Sequence, residues 1–203
     1  MELLIQGALL GILLTSMVGP IFAALVETSI ERGRVHGFWV GLGIWTSDFM
    51  FISICLLAIV PVTNMFDPSM ESSIRIAAGG FFILFGLWFI FKRSAIPDFD
   101  RIPTPKELAA AWTKGFLVNT LNPFTFLFWF GTTISLLGQS TGKDLSHLFY
   151  IGVMAVVIPG DLLKVFLADK LRHKLTVKKF TRLRWLAGLA FALFGAWLVI
   201  EQL

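Results

Sequence analysis

Ala78-Gly79-Gly80-Phe81-Phe82-Ile83-Leu84-Phe85-Gly86-Leu87-Trp88 returns near the far end of the chain as Ala187-Gly188-Leu189-Ala190-Phe191-Ala192-Leu193-Phe194-Gly195-Ala196-Trp197. The shared Ala, Gly, Phe, Leu, Phe, Gly and Trp keep their order at a constant offset of 109. Upstream, Ser16-Met17-Val18-Gly19-Pro20 faces Asn119-Thr120-Leu121-Asn122-Pro123 at an offset of 103. Between each such pair of stretches lies one acidic residue in an apolar setting, Asp48 and Asp161. Phe, Gly and Leu recur by chance in apolar helices. The order Pro, then Asp, then Leu-Phe-Gly-x-Trp in both halves speaks instead for a duplicated unit.

The composition says where such a unit sits. Of 203 residues, 56% are hydrophobic and 15% charged, and the mean hydropathy is +0.80. Soluble domains carry about 25% charged residues, so lipid is the expected solvent. One cysteine (Cys55) excludes a disulfide framework and a two-thiol relay. With three scattered histidines (His36, His147, His173), no metal site and no cofactor is expected.

A bilayer core of roughly 30 Å needs about 20 apolar residues in a helix. Six stretches qualify, over approximately 3–30, 36–60, 74–91, 112–137, 147–169 and 184–201. The fold class expected is therefore all-α, integral to the membrane, with six transmembrane helices in one domain. The first repeat covers about 1–91, a linker about 92–111, and the second repeat about 112–203. Met1-Glu2 offers no basic leader, so the first span is expected to be retained. Three spans per unit is an odd number, so the second unit enters from the opposite face. Inverted repeats of this kind recur in secondary transporters, with substrate held between the halves at mid-membrane.

Basic residues set the orientation. Arg32 and Arg34 follow the first span. Lys92, Arg93, Arg101, Lys106 and Lys114 follow the third, and Lys170, Arg172, Lys174, Lys178, Lys179, Arg182 and Arg184 follow the fifth. The opposite side has Arg75 and Lys143. The excess marks the cytoplasmic side and leaves both termini outside. The basic segment 170–184 also suits lipid headgroups or nucleic acid, but the other two loops agree with orientation, and no nucleic-acid partner is expected.

Pro20 and Pro123 have no N–H to offer the carbonyls of Ser16 and Asn119. The residues before them, Gly19 and Asn122, are pushed out of helical geometry. Either each proline kinks a continuous helix, or each breaks it. A break leaves open carbonyls on one side, which suit an ammonium group, and a half-helix N-terminus on the other, which suits a carboxylate. Together these fit a zwitterion such as an amino acid.

Asp48 and Asp161 fall near mid-bilayer, where a charge costs roughly 2.5–3.5 kcal/mol on insertion scales. Burial disfavours the charged form of a carboxylate, which lets such a group carry a proton. Each aspartate can bind a substrate amino group or take up the proton that drives antiport. Lys164, three residues after Asp161, shares its helix face. It either pairs with Asp161, reaches toward the cytoplasm, or binds a carboxylate. Glu27 is either an interfacial charge or part of a gate. Gly7 and Gly11, and Gly37 and Gly41, have the spacing of close helix contacts, inside the protomer or at a homodimer face.

These residues resemble the LysE/RhtB amino-acid exporters. The likeness rests on Gly19-Pro20-Ile21, Ile30-Glu31-Arg32-Gly33-Arg34, Gly37, Gly41-Leu42-Gly43 and Asp48. It continues through Gly115-Phe116-Leu117-Val118-Asn119 with Asn122-Pro123, and closes on Leu186-Ala187-Gly188 to Phe194-Gly195. Many members read Pro-Gly-Pro where this chain has Val18-Gly19-Pro20. The resemblance implies a six-helix exporter of amino acids or related small zwitterionic or cationic solutes, driven by the proton gradient across the inner membrane. By motif position, Gly19, Pro20, Asp48, Asn119, Asn122 and Pro123 would line its pathway, and Ser16, Asp161 and Lys164 join them on the reading above. A membrane-embedded enzyme using two carboxylates, or a scaffold that transports nothing, are the alternatives. The sequence has no nucleophile–base pair to favour an enzyme.

Overall fold

The computed structural model describes residues 1–57, 71–91, 102–138, 146–172 and 177–201. The end of the expected second span (58–60), most of the linker (92–101, with Lys92, Arg93 and Arg101), Lys143, His173 and Lys174 lie outside those residues. The described residues form eight helices and no strand. In chain order they are α1 (Glu2–Ser16), α2 (Pro20–Arg32), α3 (Arg34–Leu57), α4 (Glu71–Phe91), α5 (Pro105–Thr120), α6 (Pro123–Gly138), α7 (Ser146–Arg172) and α8 (Val177–Ile200).

The expected first span is two helices. Met17 is extended (φ −73°, ψ 135°) and so is Gly19 (φ −147°, ψ −169°). Pro20 then opens α2, where its missing N–H costs nothing. The axes of α1 and α2 meet at 61°, a break and not a kink. The expected fourth span is divided as well. Leu121 and Asn122 separate α5 from Pro123 at the start of α6, and the Asn122 Oδ1 accepts from the Phe124 N–H at 3.1 Å. This side-chain cap satisfies one of the donors that a helix start leaves open. Farther upstream, α5 starts with a reciprocal cap. Thr104 Oγ1 accepts from the Glu107 N–H, and Glu107 Oε2 accepts from the Thr104 N–H at 2.9 Å.

By length and composition, α3 and the His147–Leu171 part of α7 can each cross a bilayer, and the bent α1–α2 pair passes the same test if its two helices are taken together as one broken span. Arg75–Phe91 of α4 and Arg184–Ile200 of α8 are shorter apolar helices.

Three helix pairs carry the packing: α1 with α7, α3 with α5, and α4 with α8. Glycine makes each close. A methyl on Gly7 would run into the Phe149 carbonyl, and one on Gly152 into the Leu4 carbonyl, across the α1–α7 seam. Between α3 and α5, Gly43 abuts the Trp112 carbonyl and Gly115 the Val40 carbonyl. Between α4 and α8, Gly79 abuts the Gly195 carbonyl and Gly86 the Gly188 carbonyl. Gly7 and Gly11 thus serve contacts within the protomer, and Gly37 does the same against Ser29 and Val165. At Gly33 the chain turns from α2 into α3 with φ 83°, a conformation that suits glycine.

The main core joins α1, α3, α6 and α7 around Val40, Ile44, Trp129 and Val153. A second cluster, Phe85, Phe89 and Phe191 with Ala23, holds α4 and α8 against α2.

Candidate functional site

Both helix breaks, Asp48 and Asp161 border one cavity of about 600 Å³. Gly19 and Pro20 reach it from the first break, Asp48 from α3, Asn119 and Asn122 from the second break, and Asp161 and Lys164 from α7. Of the nine residues the sequence marked, seven line this space. Ser16 and Pro123 are not among the lining residues. The Ser16 hydroxyl turns back to donate to the Ile12 carbonyl at 2.7 Å.

The two carboxylates are held in different ways. Asp48 is 7% exposed. Its Oδ1 accepts from Asn119 Nδ2 at 2.8 Å and from the Trp129 indole at 2.9 Å. Asn119, wholly buried, also donates to the Ile44 carbonyl at 3.1 Å and accepts from the Thr125 hydroxyl at 2.9 Å. Among the described residues Asp48 has no basic partner. Asp161 is also buried, but its Oδ1 accepts from Lys164 Nζ at 2.8 Å and its Oδ2 from the Trp45 indole at 3.1 Å. So Lys164 pairs with Asp161. The ammonium also stands 6.0 Å from the centre of the Phe22 ring, in the first turn of α2.

The tryptophans cross-brace the site. Trp129 of α6 binds the aspartate of α3, and Trp45 of α3 binds the aspartate of α7. Sequence reasoning missed both, and it missed Thr125. The signal for the tryptophans was present. A buried indole N–H needs an acceptor, and carboxylates are the strongest acceptors in an apolar span.

Farther along α2 is a second charged group. Glu27, 2% exposed, accepts from Lys114 Nζ of α5 at 3.1 Å and lies 4.0 Å from Arg184 Nη1 of α8. Glu31 lies 3.8 Å from the same Arg184 nitrogen. Lys114 also donates to the Thr28 hydroxyl at 2.7 Å. Glu27 is therefore buried among charges, shared between α2, α5 and α8. The three helices that meet here also border the cavity, through Pro20, Asn119 and Ala190. Glu27 is seven residues from Pro20, and Lys114 is five from Asn119. At 1.5 Å per residue the cluster lies roughly 7–10 Å from the cavity.

A hub of two aspartates beside two broken helices is an arrangement for holding a small polar solute inside a membrane protein. The comparisons with known proteins place the chain in a family. The family model described as LysE type translocator matches residues 12–202. The "Putative amino acid efflux protein YcgF" of Bacillus subtilis (strain 168) is 24% identical over 207 residues, covering 96% of this chain and 94% of that protein. The "Uncharacterized membrane protein YahN" of Escherichia coli (strain K12) is 23% identical over 185 residues, covering 87% of this chain and 80% of that one. No solved structure matches the chain significantly.

Proposed function

The chain belongs to the LysE type translocator family, and from that premise we propose that this membrane transporter exports amino acids, or related small zwitterionic or cationic solutes, from the cytoplasm by proton antiport. One observation carries the reading: Asp48, without a basic partner, stands on the wall of a cavity that both helix breaks also border.

Asp48 is the exchange site. A buried carboxylate with no cation of its own is stabilised by whichever cation reaches it, a proton or a substrate ammonium group. The two compete for one charge, which couples them in opposite directions. The substrate carboxylate lies toward Lys164 and the start of α2, where the Ile21 and Phe22 N–H groups have no helical acceptors. Asn119 and Trp129 orient Asp48, and Trp45 orients Asp161.

The proposed frame is six spans in two inverted three-span units, about 1–91 and 112–203, joined by the linker 92–111. The pairing of helices supports it. If α1–α4 are exchanged with α5–α8, the α1–α7 contact maps onto α5–α3, and α4–α8 maps onto itself. Arg32, Arg34 and Lys170 lie toward the end closed by Glu27, Lys114, Glu31 and Arg184. On the basic-residue rule that end faces the cytoplasm, both termini face outward, and the protein sits in the inner membrane. The charge cluster is then an inner gate, closed while the cavity is reachable near Met17, Val18 and Arg75.

The test is efflux from proteoliposomes loaded with single amino acids, with and without a pH gradient. The reading expects saturable efflux that an inward proton gradient accelerates. Absence of carrier-like flux for every amino acid would return the protein to the scaffold or enzyme alternatives.

A further inference from the structure

We infer that the cargo is an amino acid with a bulky apolar side chain, selected by Phe82, Phe191 and Phe194. The inference rests on the export reading and concerns the same cavity.

The walls of that cavity divide by chemistry. The polar groups come from α1, α3, α5, the break after α5, α6 and α7: Thr15, Asp48, Asn119, Asn122, Thr125, Asp161 and Lys164. The wall supplied by α4 and α8 is Ala78, Phe82, Ala190, Phe191, Phe194 and Leu198, with Arg75 as its one polar member. The Phe82 and Phe194 rings meet edge to face, with centres 5.2 Å apart, and Phe82 lies 6.2 Å from Phe191. A zwitterionic head at Asp48 therefore leaves the side chain of the cargo against phenylalanine.

Three kinds of side chain can be weighed there. A basic one brings a second ammonium to a wall with no carboxylate among its lining residues, whose one charged member, Arg75, is already paired with Glu201 at 3.4 Å. Aromatic faces do attract cations, but these rings are engaged with one another. A small hydroxylated one finds no hydrogen-bond partner on the α4–α8 wall and gains little from it. A leucine- or phenylalanine-sized one removes its whole apolar surface from water, which is on the order of 10- to 100-fold in affinity over alanine.

The experiment is counterflow in proteoliposomes of the full chain, comparing leucine, phenylalanine, alanine, threonine and lysine. Leucine and phenylalanine are expected to half-saturate at concentrations at least about 10-fold lower than the other three. Phe82→Ala and Phe194→Ala are expected to lower the leucine-to-alanine preference about 10-fold. Phe82→Leu, which keeps an apolar side chain of similar bulk, covers the case in which truncation harms folding; it should keep leucine and weaken phenylalanine. Leu84→Ala, on the exposed side of α4, serves as a control and should leave the preference as it was. Preference for lysine or threonine, or an unchanged preference in the phenylalanine variants, would overturn the inference while leaving amino-acid export standing. No counterflow with any amino acid would overturn both.

Discussion

Replacing Asp48 by asparagine separates charge from shape at the centre of the proposed pathway. The carboxylate Oδ1 now accepts two hydrogen bonds, at 2.8 Å from Asn119 and 2.9 Å from Trp129. The amide oxygen of an asparagine can occupy that place and accept both. Hydrogen bonds to a charged group are worth about 1.5–3 kcal/mol and those to a neutral one about 0.5–1.5. Each bond therefore weakens by about 1 kcal/mol, or about 2 kcal/mol for the two. Against this, the neutral side chain no longer bears the roughly 2.5–3.5 kcal/mol that a carboxylate costs at mid-membrane. The new amide nitrogen takes the place of Oδ2 on the cavity side, where water can meet it.

The two terms nearly cancel, so the variant should insert and fold as before. Its melting temperature in detergent should stay within about 5 °C of the parent, since 1 kcal/mol corresponds to roughly 2–4 °C in a chain of this size. Export should nevertheless fall to the background of empty liposomes, and the response to a pH gradient should vanish, because a neutral amide exchanges neither a proton nor an ammonium group. Both quantities come from one preparation, by thermal unfolding and by counterflow. Full efflux with an intact fold would refute the role given to Asp48. Loss of folding would show instead that its charge is structural.

At Asp161, Lys164→Met should destabilise the protein by about 3–5 kcal/mol, because it leaves a buried carboxylate without its cation; Asp161→Asn added to it should restore most of the melting temperature. Between α3 and α5, Gly115→Ala drives a methyl into the Val40 carbonyl and should cost about 1–3 kcal/mol or more, seen as poor yield of folded protein. Gly80→Ala meets nothing within 4 Å and should be neutral or stabilising by up to about 1 kcal/mol in the same assay. At the inner gate, Glu27→Lys should abolish efflux, and Lys114→Glu in the same chain should recover part of it; failure of the pair to recover any efflux in folded protein would argue against a shared ion pair.

Features set by neighbouring residues could be read from the sequence. Pro20 lacks an N–H and displaces Gly19, so the break between α1 and α2 follows from two adjacent residues. The matched Asn122-Pro123 told the same story for α5 and α6. Features set between distant helices could not. Trp45 reaches Asp161 across 116 positions, and Lys114 reaches Glu27 across 87. No local pattern encodes those partners, which is why Glu27 read as either an interfacial charge or part of a gate. Ser16 is a different case. Its spacing from Pro20 suggested a polar group facing the pathway, but a serine hydroxyl within a helix can satisfy itself on the carbonyl four residues earlier, here that of Ile12.

The two aspartates show where a repeat stops being informative. Sequence matched them as equivalents, yet Asp161 has Lys164 beside it and Asp48 has no cation among the described residues. The corresponding place after Asp48 holds Phe51, three residues on. If both carboxylates were paired, the cavity would hold no net negative charge to draw a proton or an ammonium group inward. If neither were, two mid-membrane charges would each carry the insertion cost and would repel one another in a medium that screens poorly. One paired and one open site avoids both extremes. On the export reading this asymmetry predicts that one proton is taken up for each ammonium-bearing solute released, since Asp48 alone changes partner. Measuring proton uptake and amino-acid release together in one vesicle population tests that ratio, and a value of two would require Asp161 to leave Lys164 during the cycle.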